Sequence, residues 1–110
     1  MAAGKSESGK PAPVNNIDRL IHEPSRYLIM AHLYVLESAD FLFLVRQTGM
    51  TWGNLSAHIS KLEEAGYVSV EKEFLDKKPH TVLSLTKEGR AAFEKYRREM
   101  RQVLDALPGK

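Results

Sequence analysis

The segment MTWGNLSAHISKLEEAGYVSVEKEFLDKKPHTVLSLT, from Met50 to Thr86, decides the fold of this chain. Its first part repeats apolar residues at the spacing of one helix face, and Gly66 ends that pattern. The Thr51 hydroxyl can accept a hydrogen bond from a free backbone N–H, which favours a helix that starts there. We therefore predict a helix that runs from Thr51 to Ala65. Its inner stripe consists of Leu55, Ile59 and Leu62.

The second part of the segment has the pattern of a β-hairpin. The residues from Tyr67 to Leu75 and from His80 to Leu85 read as strands, with apolar side chains on one face. The residues between them, Asp76-Lys77-Lys78-Pro79, are typical of a turn. We predict two strands with these bounds and expect Val68 and Val70 of the first strand to face the core.

Upstream of this segment the sequence predicts three short helices. The first lies at Ile17 to Ile21, and the second begins near Pro24, where the missing N–H costs little. The second helix is apolar on most of its surface, which favours a position in the core. After a break at Ser38-Ala39-Asp40, the third helix spans Phe41 to Thr48, although its start could instead be a brief strand. Gly49 ends this helix, because glycine tolerates the left-handed conformation.

Downstream, Thr86 can cap a long final helix that reaches about Leu107. Its apolar residues are spaced three and four apart, the seam of a helix that packs along another helix. That partner could be the first two helices of the same chain or a second copy, and a helix that projects beyond a small core favours the second copy. We therefore predict a folded domain at 17–86 and a dimerisation helix at 87–110. The predicted dimer interface consists of Phe93, Tyr96, Met100, Val103, Leu104 and Leu107.

Length and composition exclude several classes of protein. The 110 residues fit one domain, and residues 1–16, rich in Gly, Ser, Pro and Lys, are predicted to be a disordered tail without the apolar region of a signal peptide. Cysteine is absent, which excludes disulfides, thiolate metal sites and cysteine catalysis. No apolar stretch is long enough to span a membrane. The four histidines lack ligand spacing, and no nucleophile motif or phosphate-binding loop is present. We expect neither an enzyme nor a bound metal or cofactor.

The stretch G-x-L-S-x-H-I-x-K-L-E-E-A-G-Y-V, Gly53 to Val68, resembles the recognition helix of winged helix-turn-helix transcriptional regulators. It is most similar to the MarR/ArsR-like group, in particular to small single-domain members, and the segment Leu85 to Arg90 (L-T-K-E-G-R) is similar to that group as well. The resemblance covers roughly Leu28 to Phe93. It implies an α+β fold, mostly α, with a three-helix core, a β-hairpin wing and a long C-terminal helix.

The resemblance also implies a function. Such regulators are usually homodimers in the cytoplasm of prokaryotes, and they bind near-palindromic double-stranded DNA. Their recognition helix enters the major groove, and their wing contacts the flanking backbone or minor groove. Carried over by position, the DNA-binding residues on the helix are Thr51, Trp52, Asn54, Ser56, Ala57, His58 and Lys61, and those on the wing are Lys77 and Lys78. The side chains of Asn54, Ser56 and His58 can read base edges, and we expect them on one helix flank.

Each of these residues has a plainer interpretation. The helix face could be merely solvated, Trp52 could pack on Met50 and the wing, and His58 could be half-buried and hold the turn. Lys77 and Lys78 could form an ordinary charged turn. The segment Thr51 to Thr86 contains four lysines and five acidic residues, so it is not basic by composition.

Two further functions therefore remain open beside DNA binding alone. One is a winged-helix module that binds another protein and no DNA. The other is a DNA-binding regulator switched by a small-molecule effector of unknown identity. Its cleft could be lined by Tyr27, Tyr34, Phe43 and Tyr96, although core packing explains these residues equally well.

Overall fold

The fold is four helices and a three-stranded antiparallel sheet, as a computed structural model that describes residues 17–108 shows. The predicted tail at residues 1–16 lies outside the described residues. The winged-helix fold predicted from the sequence is confirmed. In chain order the elements are α1 (Pro24–Leu36), β1 (Ser38–Asp40), α2 (Phe41–Thr48), α3 (Trp52–Glu64), β2 (Val68–Leu75), β3 (Lys78–Leu85) and α4 (Lys87–Ala106).

The predicted first helix at Ile17 to Ile21 is wrong, because these residues form turns. The Asp18 carboxylate accepts hydrogen bonds from the backbone N–H groups of Leu20 and Ile21, at 2.9 and 3.3 Å. A side chain that bonds its own backbone in this way competes with helix formation. Ile17 and Ile21 are nevertheless buried, so the segment covers the core as a strap.

The strap is also tied to the sheet through Tyr67. The Tyr67 hydroxyl donates to the Asp18 carboxylate at 2.5 Å. Burial, together with the bond to Asp18 and its negative charge, raises the pKa of Tyr67 to about 12. The neutral tyrosine is therefore the form that the fold stabilises.

Helix α1 starts where the sequence predicts, next to Pro24, with Glu23 as its N-cap. It is not wholly in the core, because it buries Ile29, Met30 and Leu33 on one side only. Its outer side exposes apolar residues, and we call Leu28, Val35 and Leu36 the α1 stripe.

The break predicted at Ser38-Ala39-Asp40 is instead the short strand β1, and Phe41 begins α2. Three residues are too few to show a period of two, so the sequence pattern missed this strand. β1 pairs with β3, which lies in the centre of the sheet order β1-β3-β2. Asp40 also caps α2, because its side chain accepts from the N–H of Leu42 at 3.1 Å.

The predicted boundaries of α3 are confirmed to within a residue. The Thr51 hydroxyl accepts from the N–H of Asn54 at 3.1 Å. At the other end Gly66 has φ of 82°, and the N–H groups of Gly66 and Tyr67 donate to the carbonyls of Glu63 and Leu62. These two bonds are a Schellman motif, which requires a residue such as glycine in the left-handed region.

The hairpin is tighter than the sequence predicts. Asp76 and Lys77 alone form the turn, with φ of 52° and 65°, the signature of a two-residue type I′ turn. Lys78 and Pro79 therefore belong to β3, opposite Leu75 and Phe74. The proline is tolerated there because β1 pairs only with residues 82–84 of β3 and leaves this end unpaired on that side.

Helix α4 returns to the core immediately after the hairpin. The Thr86 hydroxyl accepts from the N–H of Gly89 at 2.9 Å and donates to the carbonyl of Gly66 at 2.5 Å. The Thr86 N–H donates to the carbonyl of Tyr67 at 3.0 Å. These bonds clasp the start of α4 against the end of α3, with Gly89 directly against the Tyr67 backbone.

Candidate nucleic-acid interface

Helix α3 has one buried face and two different exposed flanks. Leu55, Ile59 and Leu62 are buried, as predicted. At about 100° per residue, Asn54, His58 and Lys61 lie to one side of this stripe, and Ser56, Ser60 and Glu63 lie to the other. Ala57 lies between the flanks, on the outermost surface.

The prediction that Asn54, Ser56 and His58 share one flank is therefore wrong for Ser56. His58 contacts residues at the start of α1, whereas Ser56 lines a groove toward the sheet. Spacings of three and four residues join Asn54, His58 and Lys61, but a spacing of two places Ser56 roughly opposite Asn54 on the helix. We call Asn54, His58 and Lys61 the reading flank.

His58 is the least exposed member of the reading flank, with 20% of its side chain accessible. Its Nδ1 atom lies 3.2 Å from Nη1 of Arg26 and 4.0 Å from Oε1 of Glu23. Arg26 is itself fixed, because its Nε donates to the Leu20 carbonyl at 2.6 Å and its backbone N–H donates to Glu23 at 2.7 Å. The half-buried interpretation of His58 thus describes its position, and Arg26 is a neighbour that the sequence did not indicate.

A groove of about 230 Å³ separates α3 from the hairpin. Trp52 stands at its edge, with 60% of the residue exposed and its ring 4.4 Å from that of Phe41. The indole therefore rests on Phe41, and most of its surface remains accessible. The groove is lined by Phe41, Trp52, Ser56, Ile59, Ser60, Glu63, Val70, Lys72, Thr81 and Leu83.

The hairpin, which we call the wing, has two faces of different charge. Val68, Val70, Lys72 and Phe74 of β2 pair with Leu85, Leu83, Thr81 and Pro79 of β3 on the face toward α3. Glu71 and Glu73 alternate onto the opposite face. Lys72 is therefore the charged residue that the described strands place on the face beside α3. Lys72 is not among the predicted wing contacts, although the alternation Val70-x-Lys72 marks its face.

The tip of the wing is exposed and mixed in character. Lys77 and Lys78 are exposed, as their proposed role requires. Phe74 is 75% exposed and lies one residue from the exposed Leu75, so the tip also presents apolar area. Asp76 is adjacent, and the tip from Phe74 to Pro79 carries a small positive excess.

The predicted seam of α4 divides into two halves. Phe93 and Tyr96 are buried inside the chain, where their rings lie 5.5 and 5.8 Å from that of Tyr27. Beyond them Leu104 is 65% exposed, and Leu107 is 60% exposed at the C-cap. The first half of the seam thus packs on α1 of the same chain, Met100 is half-buried against the same core, Val103 is half-buried, and Leu104 and Leu107 at the far end are exposed.

An open cleft of about 890 Å³ lies between α1 and α4. Tyr27, Tyr34 and Tyr96 line it together, as the sequence suggested, but Phe43 is not among its residues. The Arg90 and Arg97 guanidinium groups lie 4.7 and 5.7 Å from the centre of the Tyr34 ring. Burial, and secondarily the nearby Tyr27, raises the pKa of Tyr96. The other residues of the cleft are Glu94, Arg97, Arg98, Met100, Arg101, Gln102 and Leu104.

Within residues 17–108, no helix is long and apolar enough to cross a membrane.

Comparison with known proteins places this geometry in a family. A family model described as a winged helix DNA-binding domain matches residues 25–104. An uncharacterised protein of Methanocaldococcus jannaschii is 35% identical over 85 residues, which cover 77% of this chain and 92% of that protein.

Solved structures of other proteins share this fold. A transcriptional regulator homologue from Pyrococcus horikoshii has a TM-score of 0.83 at 28% identity, covering 88% of this chain and 98% of that one. Wild-type MarR from E. coli has a TM-score of 0.65 at 15% identity, covering 88% of this chain and 80% of that one. The second similarity supports the fold alone. The family is thus that of winged helix DNA-binding domains, and the protein from Pyrococcus horikoshii is a transcriptional regulator homologue.

Proposed function

The chain belongs to the winged helix DNA-binding domain family, and from this premise we propose that it is a homodimeric, sequence-specific regulator of transcription. In this proposal α3 enters the major groove of double-stranded DNA, and the wing contacts the flanking backbone or minor groove. Two copies place their α3 helices about 34 Å apart on one face of a near-palindromic operator.

The observation that carries the proposal is the juxtaposition of the reading flank with an exposed wing. Asn54 and Lys61 are exposed on α3, and the reading flank to which they belong can donate to and accept from base edges. Glu71 and Glu73 lie on the far face of the wing, so these two acids do not face the groove, although Glu63 of α3 lines it. Lys72, Lys77 and Lys78 are then available to phosphate.

DNA binding is tested by selection from a pool of random duplexes, followed by footprinting. We expect an enriched near-palindrome and a steep fall of affinity with salt. For each phosphate neutralised, the logarithm of the binding constant should fall by about 0.9 per tenfold rise in salt concentration. The alternative, a module that binds protein and no DNA, predicts no retained duplex even at low salt. That outcome would overturn the proposal and direct attention to the exposed Phe74 and Leu75.

The wing contacts are tested by single lysine substitutions. We expect the same effect from each of three variants, Lys72→Ala, Lys77→Ala and Lys78→Ala. Each should lower the slope of log affinity against log salt concentration by about 1 per monomer and weaken binding to all duplexes alike. Lys95→Ala is the matched control, because it removes an exposed charge on α4, outside the wing. Equal effects of Lys95→Ala and the wing variants would indicate nonspecific attraction only.

The base-reading role is tested on the reading flank. Asn54→Ala and His58→Ala should lose discrimination between the enriched duplex and single-base variants, on the order of tenfold each, while the dimer stays intact. Ala57 lies between the flanks, and Ala57→Ser would add only a hydroxyl group to that surface. Unchanged footprints for both Asn54→Ala and His58→Ala would refute their assignment.

The homodimer is supported by two apolar surfaces that residues 17–108 leave exposed. They are the α1 stripe and the end of α4, which exposes Leu104 and Leu107. A two-fold axis lets each copy cover the same surfaces of the other. Leu104→Glu should yield a monomer by light scattering with an unchanged circular dichroism spectrum, whereas Leu75→Glu at the wing tip should leave the dimer intact.

A second candidate function, control by a small anionic effector, is favoured by the α1–α4 cleft. It combines three tyrosines with Arg97, Arg98 and Arg101, a set that suits an aromatic anion. Thermal shift measurements with aromatic carboxylates test it, because a ligand that binds the folded state raises the midpoint with concentration. An unchanged midpoint with every compound, or an equal rise for Arg101→Ala, would count against this cleft.

A further inference from the structure

Arg26 has an unusual position for a charged residue at the start of a helix. Its guanidinium group contacts two groups that belong to different parts of the chain. Nε donates to the Leu20 carbonyl in the strap at 2.6 Å, and Nη1 lies 3.2 Å from His58 Nδ1 on α3. Arg26 therefore joins the strap, α1 and the proposed recognition helix.

The second contact determines which nitrogen of the His58 ring accepts a hydrogen bond. A guanidinium group has only donors, so Nδ1 of His58 must accept and cannot carry a proton. The Glu23 carboxylate, which would favour a proton on Nδ1, lies 4.0 Å from it, beyond hydrogen-bond distance. While this hydrogen bond is made, the proton of the ring is on Nε2. The two ring nitrogens point in widely different directions, so Nε2–H points away from Arg26.

We propose that Arg26 is a positioning residue for DNA recognition, which holds His58 as a hydrogen-bond donor through Nε2 and prevents it from acting as an acceptor. This inference rests on the proposed function, because it assigns a chemical preference to one member of the reading flank. In the major groove, guanine N7 and O6, adenine N7 and thymine O4 are acceptors, whereas cytosine N4 and adenine N6 are donors. His58 should therefore select an acceptor at the base-pair edge that it contacts.

A purely structural Arg26 makes a different prediction. If Arg26 only tied the strap to α1 through the Leu20 carbonyl, its loss would lower stability and weaken binding to all duplexes equally. A positioning role instead changes the preference at one base pair in each half-site, and only while His58 is present. The two roles are separated by a double-mutant cycle, which removes effects that do not pass through the pair.

The first experiment examines the ring itself, without DNA. ¹⁵N NMR of the imidazole nitrogens at pH 8, assigned with His58→Ala, should show Nδ1 of His58 unprotonated and Nε2 protonated in the wild-type protein. Arg26→Lys keeps a donor and should preserve this pattern, whereas Arg26→Met should admit a fraction with the proton on Nδ1. A proton on Nδ1 in the wild-type protein would overturn the proposal whatever the DNA results.

The second experiment measures discrimination with the enriched duplex and variants changed at each base pair. Arg26→Met should reduce the preference at the base pair of His58 on the order of tenfold and leave the other base pairs unchanged. In the His58→Ala background the same substitution should have no further effect on that preference, and Arg26→Lys should restore most of it. Circular dichroism at the assay temperature verifies that each variant is folded.

The outcomes separate the inference from the function that it deepens. If no duplex is enriched but the NMR pattern depends on Arg26, DNA recognition fails and the positioning of His58 stands as chemistry without that role. If a duplex is enriched and Arg26→Met weakens binding to every variant equally in both backgrounds, the DNA-binding function stands and the inference is refuted.

Discussion

Gly89 is the position where one added methyl group should be most costly. A Cβ built there would lie 2.8 and 2.9 Å from the carbonyl carbon and Cα of Tyr67, and closer still to the carbonyl oxygen. Favourable carbon–carbon contacts lie at about 3.5 to 4.0 Å. The obstacle is backbone, so no rotation of a side chain can relieve the overlap. We predict that Gly89→Ala strongly destabilises the fold.

The magnitude follows from what must move. Withdrawing the Tyr67 backbone would disturb the bond from Thr86 N–H to the Tyr67 carbonyl and that from Tyr67 N–H to the Leu62 carbonyl. Each bond contributes about 1 kcal/mol, and a forced overlap costs about 1 to 3 kcal/mol. The higher helix propensity of alanine offsets about 1 kcal/mol. The expected net loss of unfolding free energy is about 2 to 4 kcal/mol.

The assay is urea unfolding, followed by circular dichroism and by the fluorescence of Trp52, at one fixed protein concentration because a dimer's stability depends on it. Gly53→Ala is the matched control, because a Cβ at Gly53 meets nothing within 4 Å. It should be neutral or stabilise by up to about 1 kcal/mol. If Gly89→Ala proved as stable as Gly53→Ala, α4 could move away from Tyr67 freely, and the clasp would not explain the glycine.

Three further predictions concern local interactions. The raised pKa of Tyr67 means that the fold favours its neutral form, so this stabilisation is complete below about pH 10 and is lost as the pH rises toward 12. Tyr67→Phe also lacks the bond to Asp18, and its urea midpoint should fall less between pH 9 and 11 than that of the wild-type protein. Thr51→Ala removes the acceptor for the N–H of Asn54 and should cost about 1 kcal/mol, which Thr51→Ser should restore. Glu37 has φ of 73° without being glycine, so Glu37→Gly should raise the melting temperature, and an unchanged or lower value would contradict the assignment of strain.

The elements that the sequence predicted well are those whose ends are determined locally. Thr51 and Gly66 define α3 through bonds to residues within a few positions, and an apolar stripe at helical spacing marks its inner face. β1 depends instead on its distant partner β3, which no local pattern reveals, whereas the turns of the strap follow from the bonds of Asp18 to its own backbone. The turn at Asp76 was placed correctly, but its length was overestimated because Lys78 and Pro79 are common turn residues.

The candidate site could be predicted only in part for the same reason. The residues of the reading flank lie on one continuous helix, so their spacing determines their mutual positions, and the same helical spacing separates Ser56 from them. Arg26 lies 32 residues from His58, and their contact exists only because the fold brings the start of α1 against the middle of α3. The alternation along β2 shows that Lys72 shares a face with Val70, but only the folded sheet shows that this face lies beside α3.

Charge composition and charge geometry give opposite indications for this wing. Counting residues from Thr51 to Thr86 gives more acids than lysines, which argues against a DNA-binding surface. A strand, however, sorts its side chains by parity, so Glu71 and Glu73 are directed to one face and Lys72 to the other. Glu63 remains on the groove beside Lys72, which limits how strongly phosphate can be attracted there. If the proposed function is right, removal of this one acid by Glu63→Gln should tighten binding to all duplexes, whereas Glu73→Gln on the far face should change it much less.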